Sequence, residues 1–176
     1  MYMNAKTISI LIFLFSFSLF AQKSARCTEG DCVNGTGVSV DDAGIRYEGS
    51  FQGGLKSGKG KQTDTQGNVY TGDWKNDLPN GKGVYTITSG DQKKYTGYFK
   101  DGYYHGVGTL IYSNGDRYTG EFKKDKRSGY GTLITKADRR IYVGKWKSDK
   151  QNGKGVYYSY SSSESVKFSK GSLVSR

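Results

Sequence analysis

Tyr47, Tyr70, Tyr95, Tyr118 and Tyr142 stand 23 to 25 residues apart, and each opens the same pattern, Tyr-x-Gly-x-Phe/Trp followed by Gly-x-Gly. A period of this length constrains the chain to a tandem array of one small unit. Two residues after each tyrosine comes Gly49, Gly72, Gly97, Gly120 or Gly144, and two further on Phe51, Trp74, Phe99, Phe122 or Trp146. The Gly-x-Gly pairs are Gly58/Gly60, Gly81/Gly83, Gly106/Gly108, Gly129/Gly131 and Gly153/Gly155. The first three copies add Gly67, Gly90 and Gly115, where the fourth has Asp138.

Aromatic, glycine and aromatic at period two mark a strand, because alternate residues of a strand share a face. Ser57, Asn80, His105, Ser128 and Asn152 precede the first glycine of each pair and follow Gly54, Asp77, Gly102, Asp125 and Asp149. These turn formers predict a hairpin turn there. A second turn at Gln66-Gly67, Ser89-Gly90 and Asn114-Gly115 returns the chain to the next tyrosine, so each copy is one hairpin and copies join antiparallel. A glycine leaves a shallow spot where a neighbouring ring can lie on backbone. Gln62, Tyr85, Leu110, Leu133 and Tyr157 extend this face as a strip that is apolar in four of five copies. With 34% hydrophobic but 14% aromatic residues, rings against glycine replace a thick aliphatic interior. One hairpin is marginal alone, so each copy leans on its neighbours.

The pattern resembles the MORN (membrane occupation and recognition nexus) repeat family over residues 47 to 158, as in Tyr70-Thr71-Gly72-Asp73-Trp74, Gly81-Lys82-Gly83 and Gly90. The resemblance implies an all-β chain of tandem β-hairpin repeats forming one elongated, twisted antiparallel sheet. Ten strands at about 4.8 Å spacing give roughly 45 Å. Family arrays serve as protein scaffolds, dimerisation modules or lipid-binding surfaces, so the resemblance constrains fold more than function.

Both ends depart from the pattern. Lys6 precedes an apolar run from Ile8 to Phe20 that closes in Ala21-Gln22, which reads as a signal peptide over residues 1–21 of an exported, bacterial-type protein. The expected location is periplasmic, outer-surface or secreted. Residues 22–46 read as a degenerate half-repeat starting at Ser24, with Asn34-Gly35-Thr36-Gly37 and Gly44 retained and the aromatic strand missing. Cys27 and Cys32 take that place; an exported chain favours a disulfide between them as a staple, and free thiols or lipidation are the alternatives. Arg26 before Cys27 argues against a lipoprotein signal. Residues 159–176 hold a serine-rich stretch and a capping strand in which Phe168 and Gly171 fit the motif poorly; Val166, Phe168 and Leu173 are the residues expected to cover the open edge. Without that cap, copies of the chain would associate edge to edge.

Removing residues 1–21 takes away Lys6 and no acid, leaving 26 basic against 16 acidic side chains, a formal +10. Five residues after the tyrosines lie Gln52, Lys75, Lys100, Lys123 and Lys147, a column that parity turns away from the rings. Lys56, Lys124, Lys126, Arg127 and Lys150 stand near the hairpin tips. The column reads either as a solvated face that resists aggregation or as a ridge for anionic lipid, acidic glycan or acidic protein, with Lys75, Lys100, Lys123, Lys124, Lys126, Arg127 and Lys147 as its binding residues. Nucleic acid fits poorly, because the rings are committed to the repeat and no recognition motif is present.

Nothing suggests catalysis. His105, the sole histidine, occupies a slot filled elsewhere by serine or asparagine and reads as a turn residue. Asp41, Asp42 and Asp64 lack calcium-loop spacing, and two cysteines are too few for structural zinc. The expectation is a non-enzymatic exported scaffold, without cofactor or metal, that binds a protein partner; binding of a membrane surface or anionic polymer is the alternative.

Overall fold

The computed structural model describes residues 25–159 and 162–175, so the expected signal peptide lies outside the described residues. Fourteen strands follow one another in chain order and in space, each paired antiparallel with the next. They are β1 (Arg26–Gly30), β2 (Thr36–Val40), β3 (Arg46–Gln52), β4 (Leu55–Thr63), β5 (Val69–Lys75), β6 (Leu78–Thr86) and β7 (Gln92–Lys100). The second half comprises β8 (Tyr103–Tyr112), β9 (Arg117–Lys123), β10 (Lys126–Ile134), β11 (Ile141–Lys147), β12 (Lys150–Tyr158), β13 (Ser163–Ser169) and β14 (Ser172–Ser175). The five full copies are the hairpins β3/β4 to β11/β12, and the sheet stays open with β1 and β14 as its edges. It spans roughly 60 Å at the usual strand spacing.

The hairpin turn is tighter and earlier than the sequence predicts. It consists of two residues, Gly53-Gly54, Asn76-Asp77, Asp101-Gly102, Lys124-Asp125 or Ser148-Asp149, all with left-handed φ. Two such residues form the turn whose twist matches that of the strands. Ser57, Asn80, His105, Ser128 and Asn152 therefore lie within the second strand of each copy. They precede a bulge, not a reversal: between Ser128 and Gly131 the pairing with β9 slips, and Gly129 takes φ 56°.

The second turns stand where the sequence puts them, and their aspartates are structural. Asp41 Oδ1 accepts the N–H groups of Ala43 and Ile45, and Asp64 Oδ1 those of Gln66 and Asn68, each at 2.9 Å.

The register explains the glycines. From Gly37 in β2 to Gly155 in β12, every strand contributes one glycine to a row in which each pairs with the next, for example Gly49 with Gly60 and Gly60 with Gly72. Each repeat tyrosine folds its ring down over this row. Its hydroxyl donates to the carbonyl three residues on: Tyr47 to Ser50 at 2.9 Å, Tyr70 to Asp73 at 2.8 Å, Tyr95 to Tyr98 at 2.9 Å, Tyr118 to Glu121 at 3.1 Å and Tyr142 to Lys145 at 3.3 Å. A Cβ on Gly83 would lie 2.5 Å from the Tyr70 oxygen.

The rings also bind the copies together. Tyr47 meets both Phe51 of its own copy and Trp74 of the next edge to face at 5.1 Å. The pattern continues without a gap to Tyr142, Trp146 and Phe168. Such pairs contribute about 0.5–1.5 kcal/mol each beyond their buried area. Leu110 is buried, and Tyr85, Leu133 and Tyr157 pack against the ring series as the strip predicted.

Both ends replace the tyrosine. At the C-terminus Tyr157 pairs with Glu164, Gly155 with Val166 and Gly153 with Phe168. Glu164 thus holds the tyrosine position, no ring comes down, and the glycine position accepts Val166 as a buried side chain. Phe168 fits the motif after all: it is buried against Tyr142 at 5.8 Å, and Gly171 forms the two-residue turn with Lys170. Leu173 does not join the cover and is 43% exposed.

At the N-terminus Cys27 pairs with Ser39, which in turn pairs with Tyr47. The half-repeat is therefore set by Cys27 in the tyrosine register, not by Ser24. Cys27 and Cys32 are disulfide-bonded. A Cβ on Gly37 would lie 2.7 Å from the Glu29 carbonyl oxygen and 2.8 Å from Cys32 Sγ, so backbone and sulfur together crowd this glycine as tyrosine crowds the others. Cys32 lies in the turn between β1 and β2, so the bridge joins strand to turn and does not cross to β2. Replacing both cysteines by serine should lower stability by about 2 kcal/mol from loop entropy alone. Urea unfolding with and without reductant checks it: wild-type protein should lose stability on reduction, and the variant should not respond.

Candidate interaction surface

Strand alternation gives the sheet two unlike faces. On the ring face, the positions that repeat are filled the same way in every copy, and the polar groups there have structural partners. Lys56, near the tip of β4, does not join a basic ridge. Its Nζ lies 5.2 Å from the rings of both Tyr47 and Trp74 and donates to Gln62 Oε1 at 2.5 Å, and burial lowers its pKa. Arg127, read from the sequence as a tip residue beside the lysine column, occupies the same place in β10, paired with Phe122 on the ring face. Its guanidinium lies 4.3 Å from the Trp146 ring, Nε reaches Asp149 Oδ1 at 3.3 Å, and only 16% of the side chain is exposed.

The turn aspartates link copies. Asp77 Oδ1 accepts the Lys56 N–H at 2.8 Å, Asp125 Oδ1 that of Tyr104 at 2.7 Å, and Asp149 Oδ1 that of Arg127 at 2.9 Å. The third copy has Gly102 at this place, facing Pro79, which has no N–H to offer. Burial raises the pKa of Asp125, opposed by its bond from Tyr104.

The back face differs from copy to copy. The column Lys75, Lys100, Lys123 and Lys147 is exposed, as is Lys124 in its turn. Yet the column divides in two. Lys75 pairs with Leu78 and Lys100 with Tyr103, whereas Lys123 pairs with Lys126 and Lys147 with Lys150. Nearer the centre, the residue between each Gly-x-Gly pair opposes the next copy: Lys59 and Asp73 form an ion pair, Lys82 Nζ lies 5.5 Å from the Tyr98 ring, and Lys145 Nζ lies 5.3 Å from the Tyr130 ring. Lys59 holds the carboxyl of Asp73 below the usual range.

Two grooves lie over this face. One, of 650 Å³, has Gly60, Gly72, Gly83 and Gly97 as floor and Thr71, Thr96, Val84, Tyr98, Lys59 and Lys82 as walls. The other, of 740 Å³, is lined by Lys123, Lys126, Lys145 and Lys147 with Glu121 and Tyr130 among its neighbours. Sequence reasoning missed Tyr98, Val107, Tyr130 and Lys145. All stand at even-odd positions opposite to the rings, so parity alone could have found them.

His105 lies in β8, and no triad forms around it. Among the described residues, no group of three or more His, Cys, Asp or Glu could hold a metal ion, and no helix is long and apolar enough to cross a membrane.

An open sheet of stacked hairpins, with a ring-filled face and a variable one, defines a repeat protein of the solenoid class. The MORN repeat family profile matches residues 47–69, 70–92, 95–117, 118–135 and 142–164, more than half of the chain, and the chain belongs to this family. MORN repeats are protein- and membrane-interaction repeats, not catalytic modules. No curated protein matches the chain.

Burial pushes the hydroxyls of Tyr47 and Tyr142 up to about 12 and raises those of Tyr70, Tyr95 and Tyr118 as well. An unfolded tyrosine ionises near 10. Because the folded values are raised, this contribution to stability is complete below pH 10 and is lost as pH rises through 12. Alkaline unfolding should therefore coincide with a cooperative rise in tyrosinate absorbance in that window. Exposed tyrosines titrate before the transition; ionisation of every tyrosine in a sheet that stays folded would contradict this.

Proposed function

We propose that the chain is a non-enzymatic scaffold of an exported bacterial protein, and that it binds a protein partner through the back face of β6–β8. The observation that carries the reading is the group Tyr98, Tyr103 and Val107, exposed by 45%, 42% and 58%, beside the 650 Å³ groove. They point away from the glycine row, on a face that also carries Lys82, Val84, Thr96 and Lys100. Aromatic and aliphatic side chains gathered inside a polar rim are what a protein interface uses. The leader over residues 1–21 supports export.

The paired variant Tyr98→Ser/Val107→Ser should keep the thermal midpoint within a few degrees, as exposed positions do. Quantitative crosslinking from the native envelope fraction should then show one partner captured by wild-type protein in a salt-insensitive way and weakened at least about tenfold in the variant. Equal capture by both proteins would move the site elsewhere. Binding to anionic vesicles that disappears with salt would replace a protein partner by a membrane surface.

A further inference from the structure

The C-terminal end of the back face carries a separate feature. Three lysine pairs stand directly opposite each other on neighbouring strands: Lys123 with Lys126, Lys147 with Lys150 and Lys154 with Lys167. Like charges directly opposed across strands destabilise a sheet. The corresponding tip positions of the earlier copies avoid this, with Gln52 facing Leu55, Lys75 facing Leu78 and Lys100 facing Tyr103. Among the described residues, no ion pair engages Lys123, Lys126, Lys145 or Lys147. The one acid in their groove, Glu121, is held by the fold, its Oε1 accepting the N–H of Tyr130 at 2.8 Å.

From this arrangement we infer that the groove across β9–β12 binds a linear, carboxylate-bearing polysaccharide. The charge requires an anion, and three features select its kind. Lys123, Lys126 and Lys147 of these lysine pairs, with Lys145, line a groove of 740 Å³, a shape that suits a single extended chain better than a flat bilayer. Every strand from β9 to β12 is already paired on both sides, so a peptide has no backbone edge to extend and no main-chain recognition to gain. Tyr130 is 62% exposed at the groove, the largest exposure of any aromatic among the described residues, and its ring, with Lys145 Nζ 5.3 Å from its centre, offers a sugar a C–H contact beside a cation.

Ser128, Ser148 and Asn152 add polar groups for hydroxyls. Lysine pairs on successive hairpin tips repeat every two strands, about 10 Å. That is close to the distance between carboxylates two sugars apart on an extended polyuronate. The site is distinct from the apolar patch of β6–β8, and it stands or falls without it.

Calorimetric titration of the full chain with polygalacturonate oligomers tests the inference, with polyglutamate, neutral dextran and phosphatidylglycerol vesicles as competing probes. Polygalacturonate should bind at about 0.15 M salt and weaken as salt rises. Lys126→Gln/Lys145→Gln should weaken it at least about tenfold, while Lys75→Gln/Lys100→Gln, equal in charge change, should alter it less than about twofold. Tyr130→Ser should weaken polygalacturonate severalfold without affecting the residual binding of polyglutamate. These lysines and Tyr130 are exposed, so an unchanged urea midpoint should accompany each variant. No binding of polygalacturonate, equal losses from the two lysine pairs, tighter binding of polyglutamate or vesicles, or indifference to Tyr130→Ser would each overturn the inference.

Discussion

A tyrosine ring lying on paired glycines is the contact on which this structure depends. Among the described residues the sheet is one layer thick, with no second layer to bury its apolar face. It makes its own cover by folding each repeat tyrosine onto the glycine row, where the ring touches backbone and its hydroxyl reaches a carbonyl of the same strand. Tyr47, Tyr95, Tyr118 and Tyr142 are thereby the largest fully buried side chains, in a protein without a conventional interior. The edge-to-face partners from the next copy then close the gaps between tyrosines, so burial and cooperation between copies come from the same rings.

The two ends test this logic within the one chain. Where Glu164 replaces tyrosine, Val166 replaces glycine. Where cysteine replaces tyrosine, the glycine remains as Gly37, because backbone and sulfur occupy the space over it. Ring and glycine vary together, as a steric constraint requires.

The positions that obey one rule in all five copies were legible in the sequence: strands, copy boundaries and the aromatic–glycine face; outside them, the only two cysteines of the chain were legible as a pair. The hairpin tip was misplaced because Ser57, Asn80, His105, Ser128 and Asn152 are turn-forming types, and a bulge favours the same types as a reversal. Arg127 and Lys56 were read by proximity to the tip, but pairing with Phe122 and Phe51 across the two-residue turn puts them on the ring face, where they stack. Phe168 was undervalued because its copy lacks both tyrosine and glycine, and only the register of β13 against β12 restores it. The back face was least legible, since apart from its lysine column its residues change from copy to copy. That freedom makes it the face on which one array can differ from another.

A double-mutant cycle on Tyr142 and Gly155 tests the central claim most directly, because a Cβ at Gly155 meets only the Tyr142 ring among its nearest atoms. In the wild-type background Gly155→Ala should cost about 3 kcal/mol in urea unfolding, as forced overpacking does. With Tyr142→Ala already present, the same methyl should cost under about 1 kcal/mol, leaving a coupling of about 2 kcal/mol or more. Additive losses would contradict the account, for they would mean that the glycine serves the backbone and not the ring.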